Sequence, residues 1–275
     1  MTAPQRSTLT TTDGEQLACL DWALPAPRGT VLIVHGLGEH ALRYARLAEW
    51  LNARGYAARA YDQYGHGVSS GRRGHLARNL QFVEHLAEVA TRTRELLAEG
   101  QPLIVLGHSL GGLVVGCAAA RGLLPVQGLV LSSPALAVDM ASWQRAAVRW
   151  LPRYLPDLTL GNGLQPRYLS HDPAVVAAYQ SDPLVHDRIC ARLGGFVATE
   201  GERVIAAAPA WTVRTALLYA GDDRLVSPRG SRAFAAAAPK ACVASRCFEA
   251  LYHEIFNEPD EAPFTALETW LNDAG

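Results

Sequence analysis

The segment with the most specific chemistry is Gly107-His108-Ser109-Leu110-Gly111, a G-x-S-x-G pentapeptide. An apolar, strand-like run at 103–106 precedes it, and a small-residue helical run at 110–121 follows. A serine between a strand and a helix is typical of a nucleophile elbow, in which a tight turn exposes the hydroxyl at the edge of a sheet. The flanking glycines let strand and helix approach closely, and the helix N-terminus favours developing negative charge. The pattern predicts Ser109 as a nucleophile; the alternative is a plain turn with a serine cap.

A nucleophilic serine needs a general base and an acid that orients the base, in the chain order Ser, Asp, His for this architecture. His253 is the one histidine that follows both the predicted last strand and the aspartates Asp222 and Asp223. The aspartates come directly after the predicted strand at 215–219, hence at the same carboxyl edge as the serine. One aspartate would orient His253 and the other would cap the next turn or pair with Arg224. Spacing leaves the choice between them open.

An oxyanion hole for acyl transfer requires two backbone N–H donors. Leu110, the residue after the nucleophile, supplies the first. The second is expected in His35-Gly36-Leu37-Gly38, which follows the predicted strand at 30–34, and we assign it to Leu37. The alternative for this segment is an ordinary glycine-rich turn.

Several other functions are disfavoured by composition and spacing. The 25 basic and 26 acidic residues give a net charge of −1, whereas nucleic-acid binders usually carry a basic excess. Lys240, the single lysine, lacks the glycine-rich turn of a phosphate loop. Asn257 stands where a zinc-protease helix would need its second histidine, and the segment 65–71 misses the dinucleotide fingerprint by one residue. Neither a metal nor another cofactor is predicted.

The sequence also indicates where in the cell the protein is expected. Five scattered cysteines without a C-x-x-C pair argue against a disulfide framework and a zinc knuckle. The polar start of the chain is unlike a secretory signal, and the longest apolar run, 110–120, is too short to span a bilayer. We therefore expect a cytoplasmic protein, with peripheral association with a membrane left open.

The elements that must position these residues alternate between strands and helices, which predicts βαβ units and a mostly parallel sheet with helices on both faces. Asp13-Gly14 predicts a hairpin, hence an antiparallel edge. Residues 135–208, rich in Pro and Trp and without a clear strand, interrupt the alternation. We expect 1–134 and 209–275 to form one discontinuous core and 135–208 a helical cap. The strands are predicted at 8–11, 16–22, 30–34, 56–61, 103–106, 128–131, 215–219 and 242–248.

The chain resembles the α/β-hydrolases of the monoacylglycerol lipase and lysophospholipase family from about residue 10 to the C-terminus. Part of the resemblance lies inside the insertion, where hydrolase families normally diverge. The segments that carry it are His35-Gly36-Leu37-Gly38-Glu39-His40, Tyr61-Asp62-Gln63-Tyr64-Gly65-His66-Gly67-Val68-Ser69, Gly107-His108-Ser109-Leu110-Gly111-Gly112, Tyr179-Gln180-Ser181-Asp182-Pro183-Leu184, Asp223-Arg224-Leu225-Val226 and Tyr252-His253-Glu254-Ile255-Phe256-Asn257-Glu258.

The resemblance implies an α/β-hydrolase fold, a cap over an acyl tunnel and a cofactor-free serine esterase with a small lipid ester as substrate. It implies that Asp223, directly before Arg-Leu-Val, is the acid. It also implies that Glu39, Arg43 and Tyr179 shape a polar pocket for the glycerol head. A salt bridge between Glu39 and Arg43 that stiffens the loop is an equally consistent interpretation.

The function expected is hydrolysis of monoacylglycerols to fatty acid and glycerol through an acyl-enzyme. A lysophospholipase or a broad carboxylesterase would use the same three residues. A C–C bond hydrolase or a cofactor-free haloperoxidase is disfavoured by the resemblance inside the insertion. A non-catalytic binding protein on this fold would be expected to have lost one of the three residues, and all three are present.

The segment 141–156 bears on how a lipid would be reached. It combines Trp143 and Trp150 with Arg145, Arg149 and Arg153 at four-residue spacing and has no acidic residue. Such a helix is typical of a lipid interface. Packing of the aromatic residues onto the core, with solvated arginines, is an equally good interpretation.

Overall fold

The computed structural model describes residues 3–273, apart from the side chains of Ser142, Arg145 and Arg149. Its main sheet has eight strands in the order β1-β2-β4-β3-β5-β6-β9-β10. The strands from β4 to β10 in this order pair in parallel, and β1 and β2 form an antiparallel hairpin at one edge. The expected mostly parallel sheet and its hairpin edge are confirmed. The strands are β1 Gln5–Thr10, β2 Gln16–Trp22, β3 Gly29–Val34, β4 Tyr56–Tyr61, β5 Leu103–His108, β6 Gly128–Ser132, β7 Thr159–Gly161, β8 Arg188–Cys190, β9 Thr215–Ala220 and β10 Val243–Phe248.

Helices cover both faces of the sheet because its parallel strands are apolar on both sides. In β5, Leu103 and Val105 pack into the core on the side of α2, α3 and α7, whereas Ile104 and Leu106 pack on the side of α1 and α8. This arrangement holds the carboxyl ends of the strands at one edge. The helices are α1 Ala45–Ala53, α2 Gln81–Glu95, α3 Leu110–Ala120, α4 Ser142–Tyr154, α5 Pro173–Ser181, α6 Ala191–Ala207, α7 Pro228–Ala237 and α8 Ala262–Asn272.

The segment between β6 and β9 contains α4, α5 and α6, and also a small antiparallel pair, β7 with β8. The expectation that this segment has no strand is therefore wrong. Each of the two strands is three residues long and its partner is distant in sequence, so neither leaves a recognisable alternating pattern. Leu193, Phe196 and Val204 of α6 pack into the core beside α3, so the division between core and cap at residue 208 stays a prediction.

None of the helices within residues 3–273 combines the length and the hydropathy that a membrane-spanning segment requires.

Candidate active site

Ser109 lies at the junction of β5 and α3 with φ 55° and ψ −119°. A left-handed conformation at a residue other than glycine costs about 1–3 kcal/mol and persists only where the surroundings impose it. Backbone hydrogen bonds impose it here: the Ser109 N–H donates to the Ser132 carbonyl at 2.9 Å, and the Ser109 carbonyl accepts from Ala135 at 3.0 Å. The half-buried side chain thus stands at the carboxyl edge of the sheet, as the elbow pattern predicts.

Asp223 and His253 lie at the same edge, after β9 and β10. The Nδ1 of His253 is 2.6 Å from the Asp223 Oδ2, and both side chains are almost fully buried. The other carboxylate oxygen of Asp223 accepts the N–H groups of Leu225 and Val226, each at 2.9 Å. Asp222 instead pairs with Arg224 in solvent, with its side chain 43% exposed. The geometry brings Asp223, and not Asp222, to the imidazole.

The pair shifts the pKa of each partner. Burial would lower the pKa of His253, but the charge of Asp223 and its hydrogen bond outweigh burial and raise it above the usual value. Burial would raise the pKa of Asp223, and the charge of His253 with the hydrogen bonds lowers it. With Nδ1–H donated to Asp223, the Nε2 of His253 is left as the basic nitrogen, which is the tautomer a general base for Ser109 requires.

The loop after β3 lies against Ser109, since a methyl group at Gly36 would come 3.2 Å from the Ser109 Cβ. Among the hydrogen bonds of the described residues, neither the Leu37 N–H nor the Leu110 N–H is a donor. Two free donors beside a nucleophile are what an oxyanion hole needs. Both residues therefore lie where the sequence predicts, and their role stays a prediction.

Glu39 and Arg43 form a buried ion pair. The Oε1 of Glu39 also accepts the Gly36 N–H at 2.6 Å and the Tyr44 hydroxyl at 2.7 Å. Burial would raise the pKa of Glu39, but the charge of Arg43 and of nearby histidines lowers it to about 2. The Arg43 guanidinium lies 4.8 Å from the ring centre of Tyr179. The three residues expected at the glycerol head are thus together, and Glu39 and Arg43 already satisfy each other.

Sequence reasoning missed two neighbours of this cluster. Glu254 holds Arg43 through two contacts, at 2.6 and 2.8 Å, and the motif around His253 is the signal that could have pointed to it. The ring of His108 lies 4.6 Å from that of His253, and its Nδ1 is 3.1 Å from the Ser132 hydroxyl. Burial, and then the charge of His253, lowers the pKa of His108 to about 4. His108 is therefore neutral at ordinary pH and lies beside His253.

A cavity of about 460 Å3 lies mainly among residues of the segment between β6 and β9, and Arg224 and Leu225, the two residues that follow Asp223, complete its lining. This volume is within the range of small-molecule sites. Its apolar lining includes Ala147, Val148, Leu151, Leu160, Ile189 and Val197. Over the described part of the chain, no group of three or more His, Cys, Asp or Glu side chains could hold a metal ion.

A family model described as serine aminopeptidase, S33, matches residues 25–260. The chain belongs to this family. The chain is 36% identical to a monoacylglycerol lipase of Mycolicibacterium smegmatis over 86% of this chain and 84% of that protein. It is 30% identical to the phospholipase YtpA of Bacillus subtilis over 87% of this chain and 93% of that one. The α/β-hydrolase spans only 29% of the length of an abhydrolase domain-containing protein of Dictyostelium discoideum, to which it is 30% identical.

Among solved structures, the monoacylglycerol lipase of Paleococcus ferrophilus shares 37% identity and superposes with a TM-score of 0.84, covering 94% of this chain and 99% of that one. The expected fold class and family are confirmed: the chain is an α/β-hydrolase of the monoacylglycerol lipase-like group and a carboxylic ester hydrolase.

Proposed function

We propose that this hydrolase cleaves monoacylglycerols to fatty acid and glycerol, with Ser109 as nucleophile, His253 as general base and Asp223 as the orienting acid. The observation that carries the proposal is the strained Ser109 at the sheet edge that also carries the buried Asp223–His253 pair, 2.6 Å apart. Similarity to lipases of this activity supports the choice of a lipid ester.

In this mechanism the Nε2 of His253 takes the hydroxyl proton of Ser109 while the Ser109 oxygen attacks the ester carbonyl. The Leu37 and Leu110 N–H groups stabilise the oxyanion, and the alcohol leaves with the proton held by His253. A water then gives a proton to His253 and attacks the acyl-enzyme, the fatty acid leaves, and the proton returns to Ser109. Asp223 stabilises the imidazolium in both half-reactions.

The acyl chain would occupy the apolar cavity that starts at Leu225 and runs between α4 and α6. For the alcohol, the buried ion pair of Glu39 and Arg43 supports a role in stiffening the loop. Tyr179 lines a second cavity with Asn162 and His186, so we propose it as the contact for the glycerol head.

We propose further that α4 brings the cap to a lipid surface. Trp143, Trp150 and Tyr154 are 71%, 51% and 69% exposed, which argues against their packing onto the core. Arg153 is exposed as well, whereas the side chains of Arg145 and Arg149 lie outside the described residues. An exposed aromatic face with basic residues favours a position at a lipid interface.

A lysophospholipid is the second candidate substrate, favoured by the similarity to a phospholipase. An activity panel separates the two: monoacylglycerols of several chain lengths against lysophosphatidylcholine, diacylglycerol and short nitrophenyl esters. Preference for lysophosphatidylcholine would replace the first proposal with the second.

The nucleophile is tested with Ser109→Ala. We expect turnover of every active ester to fall by about a million-fold, because the residual rate comes from binding and the oxyanion hole alone. A fluorophosphonate probe should label the wild type and not the variant, whose circular dichroism melt should stay unchanged. Retained turnover of a short nitrophenyl ester would rule out Ser109 as nucleophile.

A further inference from the structure

Glu254 connects two loops of the candidate active site, the one after β10 and the one after β3. It follows His253 directly, and its oxygens meet the Arg43 Nη1 at 2.6 Å and Nη2 at 2.8 Å. Arg43 Nη1 also contacts Glu39, whose other oxygen holds the Gly36 N–H at 2.6 Å. The path from His253 to the loop after β3 thus consists of two ion pairs and one hydrogen bond from a backbone N–H to a carboxylate.

The connection is buried and carries a net negative charge. Side chains of Glu39 and Glu254 are each 5% exposed, and that of Arg43 is 10% exposed. One guanidinium lies between two carboxylates, and the charges of Glu254 and Glu39 raise the pKa of Arg43 despite its burial. A two-pronged Arg–carboxylate contact fixes orientation as well as distance, which a single contact does not.

We propose that Glu254 is a positioning residue: its contact with Arg43 fixes the loop that carries His253 relative to the loop that carries Leu37. The inference rests on the proposed function of these residues in ester hydrolysis. It assigns Arg43 to the scaffold of the site, between Glu39 and Glu254.

The same geometry predicts an electrostatic effect on the base. Asp223, and after it Glu254 and Glu39, raise the pKa of His253 against the effect of burial. The titratable or charged groups around His253 come from every element packed on it: Asp223 after β9, His108 of β5, Glu39 and Arg43 after β3, Glu254 on its own loop, and the paired His171 and Glu258 beside Tyr252. A carboxylate removed from this set destabilises the imidazolium, so the pKa of His253 should fall.

The test is Glu254→Gln, with Glu249→Gln as matched control. Glu249 directly follows β10, in the same connection as His253. Its side chain is 76% exposed and pairs with Arg232 at the surface.

In the wild type, kcat/KM should decrease as pH falls through the raised pKa of His253, since the protonated imidazole cannot accept a proton. For Glu254→Gln we expect this limb to move to lower pH by about half a unit to one unit. We also expect kcat to fall about tenfold or more with KM changed less than about twofold, because orientation and not binding is lost. Glu249→Gln should change neither.

Glu254→Asp separates charge from position: the pH limb should return to that of the wild type, while kcat stays low because the shorter side chain loses its contact with Arg43. Titration of the His253 imidazole by NMR gives its pKa without any substrate, so the proposal is testable even if the wild type proves inactive on esters. In that case the proposed function fails, and the NMR shift alone decides the role of Glu254. An unchanged imidazole pKa together with unchanged kcat in Glu254→Gln would overturn the inference.

Discussion

At the scale of single residues, two adjacent aspartates have opposite surroundings. Asp223 is buried, accepts two backbone N–H groups and contacts His253 at 2.6 Å. Asp222 is 43% exposed at its side chain and pairs with Arg224. An exposed pair of this kind contributes little, about 0–1 kcal/mol. The two residues therefore provide a test in which the chemical change is identical and only the position differs.

Asp223→Asn should lower kcat by about ten-thousand-fold, because an amide neither stabilises the imidazolium nor selects the tautomer with a basic Nε2. Asp222→Asn should stay within about twofold of the wild type. Steady-state kinetics on a short nitrophenyl ester, read with thermal melts of both variants, measures the difference. If Asp222→Asn were the more damaging change, the assignment of the acid would be wrong.

At the scale of elements, the turn from β5 to α3 requires glycine at positions 107 and 111. A Cβ at Gly111 would fall on the backbone carbonyls of Val34 and His35, and one at Gly107 would meet the backbone of Gly111 and Gly112. Strand, helix and oxyanion loop can be this close only because these positions are glycines. Ser109 lies within the turn that this close approach permits.

Gly111→Ala is expected to lower the free energy of unfolding by about 2 kcal/mol or more, because backbone and not a flexible side chain must move. Esterase activity should fall with it, since Ser109 would shift. Gly116→Ala in the same helix is the control: its Cβ would meet a side chain, Val204, at 3.1 Å. The gain in helix propensity offsets that contact, so its stability should stay within about 1 kcal/mol of the wild type. Equal urea midpoints for the two variants would contradict this account.

Sequence patterns predicted the elements of the sheet because each buried parallel strand is a short apolar run. The strand expected at 56–61 has those bounds in the structure. The strand expected at 103–106 continues two residues further, to His108. Periodicity could not predict β7 and β8, whose pairing depends on contacts distant in sequence. Likewise, the order of residues predicted that His253 and an aspartate meet, but choosing Asp223 required the family resemblance. The motif around His253 contains Glu254, but its contact with Arg43 joins residues 211 positions apart, which no local pattern predicts.

At the scale of the whole molecule, the segment between β6 and β9 contacts two loops of the candidate site, the one after β10 and the one after β3. The N–H groups of His253 and Glu254 donate to the carbonyls of Tyr168 and Leu169, and the His186 N–H donates to the Gly38 carbonyl at 2.9 Å. Contacts from this segment thus hold both the loop that carries His253 and the loop that carries Gly38. Displacement of the proposed cap at a lipid surface would therefore move the loops that carry His253 and Gly38.

The aromatic face of α4 provides the test of that surface. Trp150 and Tyr154 stack with ring centres 6.5 Å apart and lie outside the residues that line the apolar cavity, so their removal leaves that lining intact. We expect Trp150→Ala/Tyr154→Ala to bind vesicles of phosphatidylcholine and phosphatidylglycerol at least tenfold more weakly, because apolar area that would enter the interface is lost. Hydrolysis of a monoacylglycerol in those vesicles should fall in parallel, while turnover of a soluble nitrophenyl ester should stay within about twofold of the wild type.

The control is Leu96→Ala/Val68→Ala, which removes two side chains that are 71% and 59% exposed elsewhere on the molecule. It should change neither measurement. Equal co-sedimentation of all three proteins would show that α4 is simply a solvated helix.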